Sequence, residues 1–396
     1  MPISPWTAFH RPALQLQADN RFLPCSNNLI RRLRRSALTA ATCGLFGTIA
    51  VSCHAGGPPD QPSYKVLPAI VRENLAIFPV VSAHAHDTSQ FLTLDEGIRS
   101  GQVTIAENGP QTAMVHPGQR MPPRQQGAEV NRLVLYNNSA RPLLLLAGEI
   151  VTGGQQDRVI GSDRIVPAKS GPIDLSVFCV EPGRWTGAKP TFGSMSMQMA
   201  QPDVRAPAMA QQNQALVWDN VRSSNARAAA KVADSGAGAG LPNTSSYAQV
   251  YASPPMQKMM AGYGGAEAER AILQELRNQG AVGVVVAING RVLWADVFSS
   301  ADLLAKYWPK LMGSYAAEAV TAGTGAATPS QQDAEAWMNR LAGGREVAET
   351  EPGVYRRTDV TGEGYRVFDL TSLLPGTGFD VHLTKIREQE SAALGK

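Results

Sequence analysis

The chain has 396 residues, 43% of them hydrophobic, and its 36 Lys and Arg against 33 Asp and Glu leave a formal charge of +3. That length provides for one large domain or two ordinary ones with real cores, and the hydrophobic content is that of a globular protein. Part of the small positive excess lies in Arg31, Arg32, Arg34 and Arg35, so the body of the chain is not basic enough for a nucleic-acid partner.

Residues 1–30 carry Pro2, Pro5, Pro12 and Pro24 without a helical or strand period, and read as a mis-called start or a disordered extension. The arginine cluster is followed by a mostly apolar run over residues 36–52, which predicts an export signal. The run is short for a membrane span and ends in small residues, with Cys53-His54-Ala55 before Gly56 as a cleavage site. Arg34-Arg35 suits a twin-arginine signal about as well as an ordinary secretory one. Cys53 offers a lipid anchor instead, although Ala50-Val51-Ser52 is a poor lipobox. The expected location is therefore secreted or periplasmic, with no membrane span in the mature chain. Cleavage would leave Cys179 as the single thiol, flanked by Phe178 and Val180 and read as buried.

Residues 56–63 form a Gly/Pro linker, and order begins near Tyr64. Residues 75–81 predict a strand, Thr93-Leu94-Asp95-Glu96 has the form of a capping box, and Gly101 ends the short helix it opens. Val103-Thr104-Ile105 alternates as a strand would. Residues 133–136 and 142–147 predict a hairpin about Asn137-Asn138-Ser139, and further short runs continue to Val180. Strands at this turn-punctuated spacing point to a sandwich-like or strongly curved sheet.

After Trp185 the composition shifts to Met, Ala and Gln, and residues 206–233 predict a helix with Leu216, Val217, Trp218 and Val221 on one side. Residues 235–240 form a flexible Gly/Ala break. Ala268, Ile272 and Leu276 repeat at helical spacing within residues 266–279, and Gly280 stops that helix. Residues 281–288 and 291–298 are apolar strands joined by Asn289-Gly290, the strongest short hairpin signal. Residues 300–320 predict a helix containing Pro309, followed by a weaker helix and a set of terminal strands over residues 354–383. The order excludes a regular βαβ repeat and gives an α+β class: a β-rich N-terminal half, a helical middle, a central hairpin and C-terminal strands. The expected divisions are 1–55, 56–63, 64–320 and 321–396, the last packed on the same domain.

Chemistry-bearing residues concentrate in two patches. Glu149 follows an apolar strand and precedes Gly153-Gly154-Gln155-Gln156-Asp157-Arg158; Glu181 follows another and precedes Pro182-Gly183-Arg184-Trp185. If both strands lie in one sheet, Glu149 and Glu181 emerge at the same edge as a carboxylate pair, the minimum equipment for acid/base hydrolysis. Arg158, Arg164 and Arg184 suit an anionic ligand, Trp185 a stacked ring, and Gln156 and Asp157 polar contacts. The competing reading is an internal ion-pair network in which the glutamates hold the arginines.

His84-Ala85-His86-Asp87 places two histidines on one strand face, yet in the expected mature chain only His116 and His382 remain as further histidine ligands, so a polar loop is the simpler reading. Met195, Met197 and Met199 suit a soft metal or, more simply, a flexible apolar segment. No phosphate loop, dinucleotide fingerprint or serine-hydrolase elbow is present, and no cofactor is indicated.

Residues 92–97, then Ala147-Gly148-Glu149 with residues 153–158, then residues 177–181 with Arg184-Trp185, resemble a bacterial family, the ARG and rhodanese-phosphatase-superfamily-associated domain. Trp218-Asp219, residues 283–298 and Tyr307-Trp308-Pro309-Lys310-Leu311 are similar as well. The resemblance implies no established activity; the family's associations with ADP-ribosylglycohydrolase-like and phosphatase-like proteins imply an ADP-ribose-like or phosphorylated ligand, while the export signal weakens an intracellular signalling role. The expectation is thus an exported binding or interaction domain with a protein or small anionic ligand as partner. The alternative is a hydrolase or sensor using Glu149 and Glu181 with Arg158 and Arg184.

Overall fold

The computed structural model describes residues 63–107, 131–183, 191–236, 240–323, 325, 327–341 and 343–388. The export segment, Cys53, His116, Arg184 and Trp185 lie outside these residues, as do the side chains of Met195 and Met197.

The chain opens with β1 (Tyr64–Val66), β2 (Ile70–Arg72) and β3 (Leu75–Ser82). Short β4 (Leu92–Thr93) runs into α1 (Leu94–Arg99), where Thr93 and Glu96 form the expected capping box. Then come β5 (Val103–Glu107), β6 (Arg132–Asn137), β7 (Leu143–Leu145), β8 (Glu149–Gly153), β9 (Arg158–Ile160), β10 (Arg164–Val166), β11 (Ser170–Cys179) and β12 (Thr191–Met199). Six of these close into an antiparallel barrel in the order β11-β6-β5-β12-β8-β9, while β10, β7 and β4 form a separate small sheet. The curved-sheet expectation is met in its limiting form, a closed barrel without edges.

The expected hairpin over residues 133–147 does not form. β6 pairs with β5 and β11 inside the barrel, whereas β7 leaves it to pair with β10 and β4. Asn137 makes the separation: its Nδ2 donates to the carbonyls of Arg141 and Pro167, at 2.9 Å each, instead of the turn closing on itself.

Every barrel strand contributes to one apolar interior: Val103 and Ile105, Leu133 and Leu135, Val151, Ile160, Leu175 and Val177, and Phe192. Leu92, Leu94, Leu143 and Leu145 from the small sheet and α1 join the same cluster near the end of the barrel marked by Val103 and Asn137. At the other end the alternation of Val103, Ile105 and Glu107 carries an acid onto the interior face. It meets Arg158, which is fully buried with Nη2 3.8 Å from Glu107 Oε1.

A helical layer follows: α2 (Pro202–Ala206), a π-helical turn over Pro207–Gln211, α3 (Gln214–Asp234), α4 (Tyr247–Tyr251), α5 (Pro254–Gly264) and α6 (Ala266–Asn278). The helix expected over residues 206–233 is thus divided at Gln212, whose φ of 47° is left-handed. Val217 and Val221 face the core as expected, but Leu216 is exposed. β13 (Gly283–Ile288) and β14 (Arg291–Phe298) form the expected hairpin, with Asn289 at φ 51° and Gly290 at φ 77°, both in the left-handed region such a turn needs. α7 (Ala301–Thr321) runs continuously through Pro309 and buries Tyr307, Trp308 and Tyr315.

α8 (Gln331–Asn339) precedes β15 (Arg345–Glu351), β16 (Tyr355–Gly362), β17 (Tyr365–Ser372) and β18 (Asp380–Arg387). These four strands extend one nine-stranded sheet in the order β1-β3-β13-β14-β18-β17-β16-β15, with β2 on β3. Residues beyond 320 therefore build the same sheet as residues 64–82. No helix among the described residues is long and apolar enough to cross a membrane.

Candidate functional site

The polar run at residues 153–157 is the loop joining β8 to β9 at the Glu107 end of the barrel. Gly153 and Gly154 turn it, at φ 127° and 56°; a Cβ on Gly154 would stand 2.2 Å from the Phe192 ring and 2.6 Å from Glu107 Oε1. Asp157 closes it, accepting from Gly153 N at 3.1 Å and, through its second oxygen, from Ser246 Oγ at 3.1 Å. Ser246 is also the N-cap of α4, so this bond ties the helical layer to the barrel mouth.

Glu181 stands just beyond β11 on the neighbouring chain segment. Its Oε2 accepts from Asp157 N at 2.8 Å, and its carbonyl accepts from Gln156 Nε2 at 3.2 Å. Gln155 N donates to Glu107 Oε1, and Arg158 Nη1 donates to the Gln156 carbonyl at 2.7 Å. Gln156, Asp157, Arg158 and Glu181 are thus brought together. A cleft of about 320 Å³ opens over Gln156, Asp157 and Glu181, bounded on the far side by Ala248, Gln249 and Ala252. Gln156 is 4% exposed and lines this cleft, and among the described residues nothing donates to its Oε1.

The structure does not bring Glu149 to this place. Ile150 pairs with Val159, and Gly148 N donates to the Ile160 carbonyl, so Glu149 stands beside Ile160; Glu181 follows Cys179, which pairs with Arg158. The two glutamates mark opposite ends of the β8–β9 pair, offset by about 13 Å along the strands at 3.3 Å per residue, and stand on either side of β9. The expected carboxylate pair is corrected accordingly: register, which sequence does not disclose, sends them apart.

Glu149 is instead fully buried against α7. Lys310 Nζ lies 2.6 Å from Glu149 Oε1 and 2.8 Å from Asp95 Oδ2, while Glu149 Oε2 accepts from Leu146 N at 2.8 Å. Burial raises the Glu149 carboxyl in spite of Lys310, and Lys310 is raised because the two carboxylates outweigh its own burial. A single ammonium thus serves two acids. Arg164 faces a different cleft, its Nη2 3.1 Å from Glu351 Oε2 and its Nη1 donating to the Asp174 carbonyl.

His84 is exposed, and His86 stacks on Phe379 with ring centroids 4.1 Å apart; Asp87 accepts from Ser89 N as a turn cap. Among the described residues no three His, Cys, Asp or Glu side chains are placed to hold a metal. Cys179 is a buried thiol whose pKa burial pushes up to about 11, against a reactive role.

Sequence reasoning passed over a second ionic cluster between the sheet and the helices. Arg205 binds Asp296 through two bonds of 3.1 Å, Thr384 Oγ1 and the Tyr315 hydroxyl donate to the same carboxylate, and Arg205 lies over the Trp294 ring. His382 Nε2 is 3.3 Å from Asp296 and Nδ1 2.5 Å from Asp163. The legible signal was Asp296, a lone acid in an apolar strand. Of the residues that hold the loop beneath the cleft, Glu107 was equally legible as the acid completing an apolar alternation, whereas Ser246 carried only a capping signal.

No curated protein and no solved structure matches the chain. The sequence model of one family matches residues 63–385, a span that takes in the barrel, the helical layer and the C-terminal strands through most of β18. By that match over most of its length, the chain belongs to the family of ARG and rhodanese-phosphatase-superfamily-associated protein domains.

Proposed function

We propose that the chain is an exported ligand-binding domain whose barrel-mouth cleft holds a small uncharged group rich in hydrogen-bond donors, of the hydroxyl or amide kind. One observation carries this reading. Gln156 lines the cleft and among the described residues its buried Oε1 has no donor; a buried carbonyl left so costs about 1–3 kcal/mol, which a ligand donor that reached it would recover. The charged residues lining the cleft are the acids Asp157 and Glu181, with Arg158 turned into the barrel end, so the described lining favours donors over phosphate.

The test is a thermal-shift screen of the mature chain against monosaccharides, primary amides, ADP-ribose and sugar phosphates. The expected outcome is that neutral donors raise Tm by a few degrees, and that Gln156→Ala abolishes the shift measured from its own unliganded Tm, which falls with loss of the buried Gln156–Glu181 hydrogen bond. Stabilisation by ADP-ribose or a sugar phosphate alone would overturn the reading. Export is supported by the arginine cluster and the apolar run before Gly56. Mass spectrometry of the secreted or periplasmic fraction is expected to find a mature N-terminus at Gly56; a cytoplasmic chain retaining residues 36–52 would remove export from the proposal.

A further inference from the structure

The nine-stranded sheet ends in β1 on one side and β15 on the other, and the two edges are finished differently. On β1, side chains of α8 take the main-chain groups. Asn339 accepts from Tyr64 N at 2.9 Å and donates to the Tyr64 carbonyl at 2.7 Å, while Gln331 donates to the Val66 carbonyl at 2.8 Å and Glu335 accepts from Val66 N at 3.4 Å. That edge is closed to a further strand.

β15 pairs only with β16, and among the described residues no strand or side chain bonds to its outer main-chain groups. An antiparallel strand turns the N–H and C=O of alternate residues to opposite sides, so every second residue of β15 presents a donor and an acceptor outwards. The devices that blunt such an edge are missing: the strand has no proline or lysine, and its register with β16 is unbroken from Arg345 to Glu351. Residues 345–350 are exposed on both faces of the sheet, and Val347, at 54%, is the most exposed large apolar side chain among the described residues. A long bare edge with a valine at its centre is a template for another strand.

We propose that β15 is a dimerisation edge, pairing antiparallel with β15 of a second copy of this chain about a twofold axis at Val347. In that register the face carrying Val347 is complementary to itself: Val347 meets the partner's Val347, Arg345 the partner's Glu349, and Glu349 the partner's Arg345. On the other face Glu346 meets the partner's Ala348, so no like charges stand opposed. An axis one residue on, at Ala348, would set Val347 against a carboxylate, that of the partner's Glu349. Glu349 pairs with Arg357 of its own chain and still has 64% of its side chain exposed, in reach of a second cation. The pair uses both β15 edges and α8 closes both β1 edges, so assembly stops at two copies. One strand pair buries less than the roughly 1,200–2,000 Å² of a standard interface, so the dimer forms reversibly.

Sedimentation velocity of the purified chain over a concentration series tests the pairing, and a monomer–dimer equilibrium is expected. Arg345→Glu alone sets glutamate against glutamate at both ends of the pair, and Glu349→Arg alone sets arginine against arginine; each is expected to weaken the dimer by about tenfold or more. Mixed in equal amounts, the two variants oppose unlike charges at both ends again, and association is expected to return as a heterodimer. Glu349→Arg also gives up the Arg357 pair within its own chain, so circular dichroism checks its fold. Val347→Lys, at an exposed position, sets two ammonium groups together on the axis and is expected to dissociate the dimer without that complication. The proposal is overturned by a wild-type chain that stays monomeric, by a dimer that Arg345→Glu or Val347→Lys leaves intact, or by a mixture of folded charge-reversal variants that stays dissociated.

Discussion

Replacing Arg205 with alanine is expected to destabilise the fold by about 3–5 kcal/mol, because it strands the Asp296 carboxylate in a site without solvent. The Tyr315 and Thr384 hydroxyls and His382 would still face that carboxylate, but none replaces the two parallel guanidinium bonds. Urea unfolding followed by circular dichroism measures the loss, and a value under about 1 kcal/mol would show that the pair only fills space. The same cluster sets a pH dependence. Burial alone would lower His382, but Asp163 and Asp296 on either side outweigh it and hold the imidazole up to about 9. Since the folded value lies above the ordinary 6.5, this stabilisation is complete below about pH 6.5 and is lost as pH rises through about 9, a change of about 3 kcal/mol. His382→Gln is expected to flatten the decline in stability over that window; an unaltered slope would remove His382 as its source.

What the sequence discloses here is local. The Asn289-Gly290 turn, the Thr93 capping box and the helix carrying Ile272 and Leu276 are each specified by neighbours within a few residues, and each forms. Closure of the barrel is specified by pairings such as Phe192 with Ile105, between strands remote in the chain, and no local pattern announces it. For the same reason the polar loop at residues 153–157 was recognisable as a candidate site, while its neighbours in the fold were not: Glu181 joins it through register, Ser246 through the docking of α4, and Glu149 leaves it by four strand positions. Gly148 illustrates the gap. It reads as a strand end, but a Cβ there would stand 2.5 Å from Arg205 Nε, so its small size serves a side chain more than fifty positions away.

Lys310→Met is expected to cost about 3–5 kcal/mol at neutral pH, because three segments that carry the family resemblance meet at this one ammonium. Asp95 comes from the capping-box segment, Glu149 from the Ala147-Gly148-Glu149 strand start, and Lys310 from the Trp308-Pro309-Lys310 turn of α7. Their joint role in the fold is to fasten the small sheet, the barrel and the helical layer at one point. The methionine would fill the space but leave Glu149 buried beside Leu146 with a single backbone donor. A carboxyl whose folded pKa lies above its unfolded value gains stability as pH falls, so the variant's deficit should narrow on acidification as Glu149 takes up a proton. Adding Glu149→Gln is expected to recover much of the loss, since it removes the uncompensated charge while Asp95, with 18% of its side chain exposed, remains in reach of water. Urea unfolding of the single and double variants at two pH values measures all three terms. Additive losses, or a deficit that ignores pH, would mean that Lys310 acts through packing alone and that Glu149 does not depend on its charge.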